Sequence, residues 1–179
     1  MDVGTRRQVL WDTRFIESSA GIRLRMNSAV QHPEPVLVAD RPWESYGIGG
    51  YNTVIRERGG LFRMWYDAAM QGGLPAEGAR RLGYAESRDG ICWTKPSLGL
   101  IEFQGNRDNN LVAPPGQRQS QQGATVMVDP RAHSSARYRL WTKFRPTDAE
   151  MAAGVEAGLW AMESPDGIHW SLSANQPSP

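Results

Sequence analysis

The residues best suited to acid–base chemistry in this chain are its carboxylates, and they fall into two groups. Glu86 and Glu163, like Asp89 and Asp166, recur in matching local contexts. Recurrence points to a shared structural task, because a catalytic group is normally needed once. Asp12, Glu44 and Asp129 are the remaining candidates. Asp129 follows the strand-like run Thr125 to Val128 and precedes Pro130, so it either faces inward from a strand end or opens a turn. Asp12 follows Trp11 and reads first as a surface or turn residue. Glu44 follows Pro42-Trp43 in a loop, where it serves either as a ligand contact or as a solvated carboxylate. Other chemistries find little support. His32, His133 and His169 lack zinc-ligand spacing, and the single cysteine, Cys92, excludes a multi-cysteine zinc site or an internal disulfide framework. Gly47-Ile48-Gly49-Gly50 lacks the strand-to-helix context of a nucleotide-binding loop.

The elements that must position these groups come from composition and repetition. Seven tryptophans, 19 glycines and 12 prolines in 179 residues describe aromatic-rich strands broken by frequent turns, as in a sandwich, barrel or propeller. A formal charge of +1, with no basic run longer than two, gives no reason to invoke nucleic acid or an anionic membrane. No stretch has the length of a transmembrane helix. Met1 to Leu10 lacks the apolar core of a signal peptide, which places the chain as written in the cytoplasm. An upstream segment would change that to an extracellular or periplasmic location.

The strongest signal is an internal repeat. Glu86-Ser87-Arg88-Asp89-Gly90-Ile91-Cys92-Trp93 aligns without gaps on Glu163-Ser164-Pro165-Asp166-Gly167-Ile168-His169-Trp170 at an offset of 77, with six of eight positions identical. Phe62-Arg63-Met64-Trp65 matches Tyr138-Arg139-Leu140-Trp141 at 76, Thr53-Val54 matches Thr125-Val126 at 72, and Leu37-Val38-Ala39 matches Leu111-Val112-Ala113 at 74. Four ordered matches at nearly constant offset define one duplicated unit. The predicted division is residues 1–34 as N-terminal strands belonging to a blade, 35–105 as a first propeller repeat, and 106–179 as a second, truncated one. In the first repeat the strand-like runs are Pro35 to Ala39, Thr53 to Arg56, Leu61 to Ala68 and Arg81 to Ser87. Two further strands are expected within Gln8 to Met26, around Ser18 to Gly21. Asp89-Gly90 and Asp166-Gly167 are hairpin-turn signals, since glycine accepts positive φ and aspartate bonds its own downstream backbone. The tryptophan three residues after each glycine is expected to fold back as an anchor. Thr147 to Glu150 fits a capping box before a short helix, while Gln71 to Arg80 and Arg107 to Gln122 read as loops.

Pro42-Trp43-Glu44, Tyr51 to Val54, Met64-Trp65-Tyr66, Tyr84 to Gly90, Lys95 to Leu100, Asn109-Asn110 and Ser164-Pro165-Asp166-Gly167-Ile168-His169-Trp170 together resemble a group of bacterial proteins. These are similar to the five-bladed β-propeller glycosidases of the family 32 and family 43 superfamily. The resemblance extends from about Trp11 to Trp170 and is specific for the scaffold. Ser-x-Asp-Gly-x-x-Trp also resembles shorter-spaced relatives of the Asp-box of sialidase propellers, where it is a structural turn. The fold class it implies is an all-β, five-bladed-type propeller of which two to three blades are present. A closed ring at this period takes about 300 to 370 residues, so the chain is expected either to be a partial one or to complete its ring through self-association.

What the resemblance implies for chemistry is a glycan-processing site in a central funnel, built on three acidic residues. Asp12 is the nearest match to the first and Asp129 to the second. The matches depart from the pattern, because Trp11-Asp12-Thr13 lacks the Asn-Asp-Pro context and Val128 stands where an arginine precedes the aspartate. No glutamate-cysteine motif assigns the acid. Trp43, Glu44 and Trp160 are the substrate-binding candidates, the two indoles as stacking platforms for a sugar. No cofactor is implied, and the sequence leaves open whether calcium occupies the funnel. The implied ligand is a poly- or oligosaccharide, bound or hydrolysed through funnel carboxylates. The alternatives are a non-catalytic glycan- or protein-binding propeller and an inactive truncated fragment. Fold alone does not decide among them.

Overall fold

The structure, a computed structural model, describes residues 5, 12–14, 16–70, 80–112, 121–144 and 148–173. The chain divides into two compact units, residues 1–33 and residues 34–179.

In the first unit the described residues contain no strand. The two strands expected within Gln8 to Met26 are therefore absent from 12–14 and 16–26, while 8–11 and 15 lie outside the described residues. Ile22, Leu24 and Met26 alternate as in a strand, yet all three are exposed. Alternation makes a strand only when a partner supplies both a ladder and a surface to bury against.

Among its described residues the second unit is all-β, with one single-turn α-helix and two short 3-10 turns. Its first sheet contains β1 (Gly47–Ile48), β2 (Thr53–Arg56), β3 (Phe62–Ala69), β4 (Arg80–Ser87), β5 (Trp93–Thr94) and β6 (Leu111–Val112). The sheet is four strands wide, because β1 and β2 share one edge of β3 while β5 and β6 share the far edge of β4. The second sheet runs β7 (Gln121–Val128), β8 (Tyr138–Phe144), β9 (Gly158–Ser164) and β10 (Ser171–Leu172) in simple meander order, all antiparallel. Two successive antiparallel sheets, of six and four strands, pack face to face in a partial propeller-like fold. The helix, α1 (Asp148–Ala152), lies where the capping box predicts one, although Thr147 itself is outside the described residues. Among the described residues no helix is long and apolar enough to cross a membrane.

The sequence repeat is also a repeat of hydrogen-bond register. Thr53 pairs with Trp65 as Thr125 pairs with Trp141, and Phe62 pairs with Ser87 as Tyr138 pairs with Ser164. Glu86 opposes Thr94 as Glu163 opposes Ser171.

Some elements differ from expectation. Pro35 to Ala39 is irregular rather than a strand. Its sequence counterpart Leu111–Val112 forms β6, but pairs with Leu82 and Gly83 of the first sheet. Arg107 to Gln122, read as a loop, therefore contributes a strand at each end, with 113–120 outside the described residues. Short strands of two residues at a sheet's rim carry too little alternation to be legible.

One apolar core fills the space between the sheets, built from Trp65, Leu82 and Tyr84 on the first and Val126, Tyr138, Leu140, Met162 and Trp170 on the second. A second cluster, including Trp43, Met64, Tyr66 and Leu111, covers the opposite face of the first sheet.

Both Asp-Gly turns form as predicted. Gly90 and Gly167 share φ of 77°, a conformation that favours glycine. Asp89 Oδ1 accepts from the backbone N–H of Ile91 and Cys92, each at 2.8 Å, and Asp166 Oδ1 from Ile168 and His169 at 2.9 and 2.8 Å. The Ser87 and Ser164 hydroxyls accept the glycine N–H at 2.8 and 2.9 Å. These bonds to the ionised form hold both aspartates at about 2, although partial burial of Asp166 pushes the other way.

Candidate functional site

Glu44 sits in a single 3-10 turn, Pro42–Glu44, and is only 1% exposed. A buried carboxylate must be paired, and this one is. Oε2 accepts from Lys95 Nζ at 2.7 Å and from the backbone N–H groups of Asp40 and Arg41 at 3.0 and 3.2 Å. Oε1 accepts from the Tyr66 hydroxyl at 2.5 Å. Asn110 donates to that same hydroxyl at 2.7 Å and to the Tyr84 carbonyl at 2.6 Å, while accepting the Trp43 indole N–H at 2.8 Å. Burial, with Glu44 beside it, pushes the Tyr66 phenol far up, so it stays a neutral donor. The network is closed and reads as a clamp between the 35–48 segment and the first sheet. The Trp43 indole packs edge-on against Phe103. Trp160 is likewise buried, edge-on to Phe144, with its N–H on the Glu156 carbonyl at 3.3 Å. Neither indole presents a free face in this conformation.

Asp129 directly follows β7 and organises the turn into β8. Its backbone N–H donates to the Arg137 carbonyl at 2.9 Å. Oδ1 accepts the Arg131 N–H at 3.0 Å and Oδ2 accepts Arg139 Nε at 3.2 Å. The Arg131 bond first, and then Arg139, hold its carboxyl below the usual range. Its repeat counterpart Glu57 has the same job in the preceding hairpin, paired with Arg63 and Arg137 and hydrogen-bonded by Tyr138. Asp12, in the first unit, pairs with Arg14, which reaches it through Nε at 2.9 Å and NH2 at 2.7 Å.

The structure adds a carboxylate that the sequence reading passed over. Asp67 lies two residues from the C-terminal end of β3 and is 1% exposed. Oδ2 accepts from Arg80 NH1 at 3.0 Å, whereas Oδ1 is buried with no partner among the described residues. Burial raises its proton affinity, and Arg80 offsets this only in part. The backbone of Gly49 closes over the pair. A Cβ at residue 49 would stand 2.7 Å from both Asp67 Cβ and Arg80 NH1, and the Gly49 N–H donates to the Asp67 carbonyl at 2.9 Å. The signal available in the sequence was non-recurrence: position 67 corresponds to Lys143, which is exposed. Asp67 and Asp129 occupy opposite ends of the sheets, Asp67 beside the β3-to-β4 connection and Asp129 at the hairpin end with Glu57. They do not form a dyad. Among the described residues no group of three or more His, Cys, Asp or Glu gathers to hold a metal ion.

No protein-family profile matches the chain, and no curated protein matches it. In fold it is similar to a glycosyl hydrolase from Bacteroides ovatus, with a TM-score of 0.46 and 18% identity over 78% of this chain and 35% of that one. It is also similar to a protein from Bacteroides ovatus ATCC 8483 assigned as a glycoside hydrolase, with a TM-score of 0.45 and 19% identity over 81% of this chain and 39% of that one. The chain thus spans well under half the length of these structures.

Proposed function

We propose that the chain is a glycoside-hydrolase-like propeller module that binds or hydrolyses poly- or oligosaccharides. The observation supporting the hydrolytic form is Asp67. Glycosidic cleavage needs one carboxyl group that keeps its proton near neutral pH and another that is ionised. Asp67 is displaced toward the protonated form, whereas Asp40, Asp89, Asp129 and Asp166 are displaced toward the ionised form. Its Oδ1 is also uncommitted among the described residues. In this reading Asp67 is the proton donor and Arg80 orients it.

A second reading, a non-catalytic glycan- or protein-binding module, draws on the ion pairs. Glu44, Glu57 and Asp129 are all engaged by cations of the chain itself. The test is hydrolysis of an aryl-glycoside panel and of oligosaccharides by the purified chain, with calorimetric binding in parallel. Turnover lost in Asp67→Asn with folding intact supports the first reading. Binding without turnover supports the second, and neither binding nor turnover overturns both.

A further inference from the structure

The two sheets are joined by a lock whose parts are present twice. From the first sheet, Trp65 donates its indole N–H to the Gly167 carbonyl at 2.7 Å, Arg63 donates to the Asp166 carbonyl, and the Thr53 hydroxyl accepts the Val126 N–H at 3.2 Å. Side chains alternate along a strand. Tyr138 and Leu140 thus face the first sheet, while Arg139 and Trp141 point from the opposite face of β8. At the register positions of Thr53, Arg63 and Trp65 that outer face carries Thr125, Arg139 and Trp141, the same three residue types. Its apolar positions match as well. Ile55 packs on the inter-sheet core and Leu82 is 1% exposed, but their counterparts Met127 and Leu159 are 44% and 47% exposed. The second sheet repeats the socket, facing outward.

The other half of the lock is also repeated. The turn at Ser164 to Trp170 is seated on the first sheet, with Ile168 packed against the core. The turn at Ser87 to Trp93 has the same φ at glycine and the same Asp and Ser bonds, but Ile91 is 47% exposed. Only Phe62 of its own sheet comes within 4 Å of a Cβ built at Gly90. Its carbonyl partner differs in a telling way. Gly90 O accepts the indole of its own Trp93 at 3.0 Å. In the seated turn Gly167 O serves the neighbouring Trp65, and Trp170 Nε1 is buried with no partner among the described residues. The first turn has the bonding of a free one.

We infer that the outer face of the second sheet, centred on Trp141 and Arg139 of β8 and Thr125 of β7, receives the Ser87–Trp93 turn of a second copy of this chain. The contact is heterologous, so each added copy presents a fresh socket and a fresh turn, and growth is open-ended unless the rotation closes a ring. Trp43 and Phe103 already cover the rest of the face beside that turn. The contact between copies is therefore smaller than the intramolecular one and belongs to the transient class.

Sedimentation velocity of the purified chain over a wide concentration range tests this. The expected result is a weight-average mass that climbs with concentration and does not stop at a dimer. Trp141→Ala removes the socket and Ile91→Asp the turn, each expected to weaken association at least about tenfold. Both positions are outside the inter-sheet core, and unchanged circular dichroism confirms that each variant folds. Trp141→Ala keeps its turn and Ile91→Asp keeps its socket, so an equimolar mixture of the two is expected to form heterodimers and nothing larger. A wild-type chain that stays monomeric, variants that associate like wild type, or a mixture that remains monomeric would each overturn the proposal.

Discussion

Trp65 and Gly167 meet as donor and acceptor across the boundary between the two sheets, and the indole also occupies the space a side chain at 167 would need. The N–H to carbonyl distance is 2.7 Å, and a Cβ at 167 would stand 2.6 Å from Trp65 Cζ2. One contact thus fixes both the turn and the packing of the second sheet on the first.

Gly167→Ala is accordingly expected to cost more than Gly90→Ala, although both glycines have the same φ of 77°. The left-handed conformation alone costs about 1 kcal/mol. At Gly90, where the nearest atom to the new Cβ is 3.8 Å away, that is the whole effect. At Gly167 the ring must also move, which adds about 1–3 kcal/mol. Urea denaturation of the two variants measures the difference, and equal losses would count against the lock.

Lys95→Met leaves Glu44 buried beside Tyr66 without its cation. Breaking a buried pair from one side costs about 3–5 kcal/mol. Asp40, the other carboxylate on Lys95, is well exposed, so Asp40→Asn is expected to cost under about 1 kcal/mol. Thermal melts of both variants check the contrast.

Asp67 gives a pH dependence of opposite sign to most carboxylates. Its folded pKa is raised above the ordinary aspartate value, chiefly by burial. Between the unfolded and the folded pKa the native state holds more protons, so stability falls as pH rises through that window. Asp67→Asn removes this dependence. Wild type relative to the variant should be most favoured below pH 4 and lose ground on passing to neutrality, as read from urea midpoints across pH. A difference that does not vary with pH would show that Asp67 is not displaced.

Asp166 and Asp89 behave the other way. Both are held at about 2, below the ordinary aspartate value, so their contribution is present above about pH 4 and lost as pH falls toward 2. Asp166→Asn should flatten the acid limb of the stability profile and loosen the sheet interface. Asp89→Asn should flatten it without that loosening, because its turn is not seated on another sheet. Tryptophan fluorescence during acid titration separates the two.

The repeat was legible because both copies carry the same Ser-x-Asp-Gly turn and the same strand tryptophan, Trp65 and Trp141. Those residues align β2, β3 and β4 with β7, β8 and β9, and the pairing of the strands follows the same alignment. What stayed hidden was set by partners distant in sequence. β6 exists because Leu111 and Val112 meet Leu82 and Gly83, a pairing that no local pattern announces. The burial of Glu44 depends on Lys95, 51 residues away. Asp67 was readable only as the position where the copies differ, and attention to recurrence passed over it.

Asn110 binds Trp43 across 67 residues, Tyr66 across 44 and the Tyr84 carbonyl across 26. During synthesis, therefore, the first sheet cannot finish closing until residue 110 has cleared the ribosome. Until then the Trp43 indole lacks the acceptor that lies further along the message. The lock to Gly167 comes another 102 residues after Trp65. In a chain made from its N-terminus such contacts form only after both partners have emerged, so the aromatic strands of the first sheet are the surface left open in the interval.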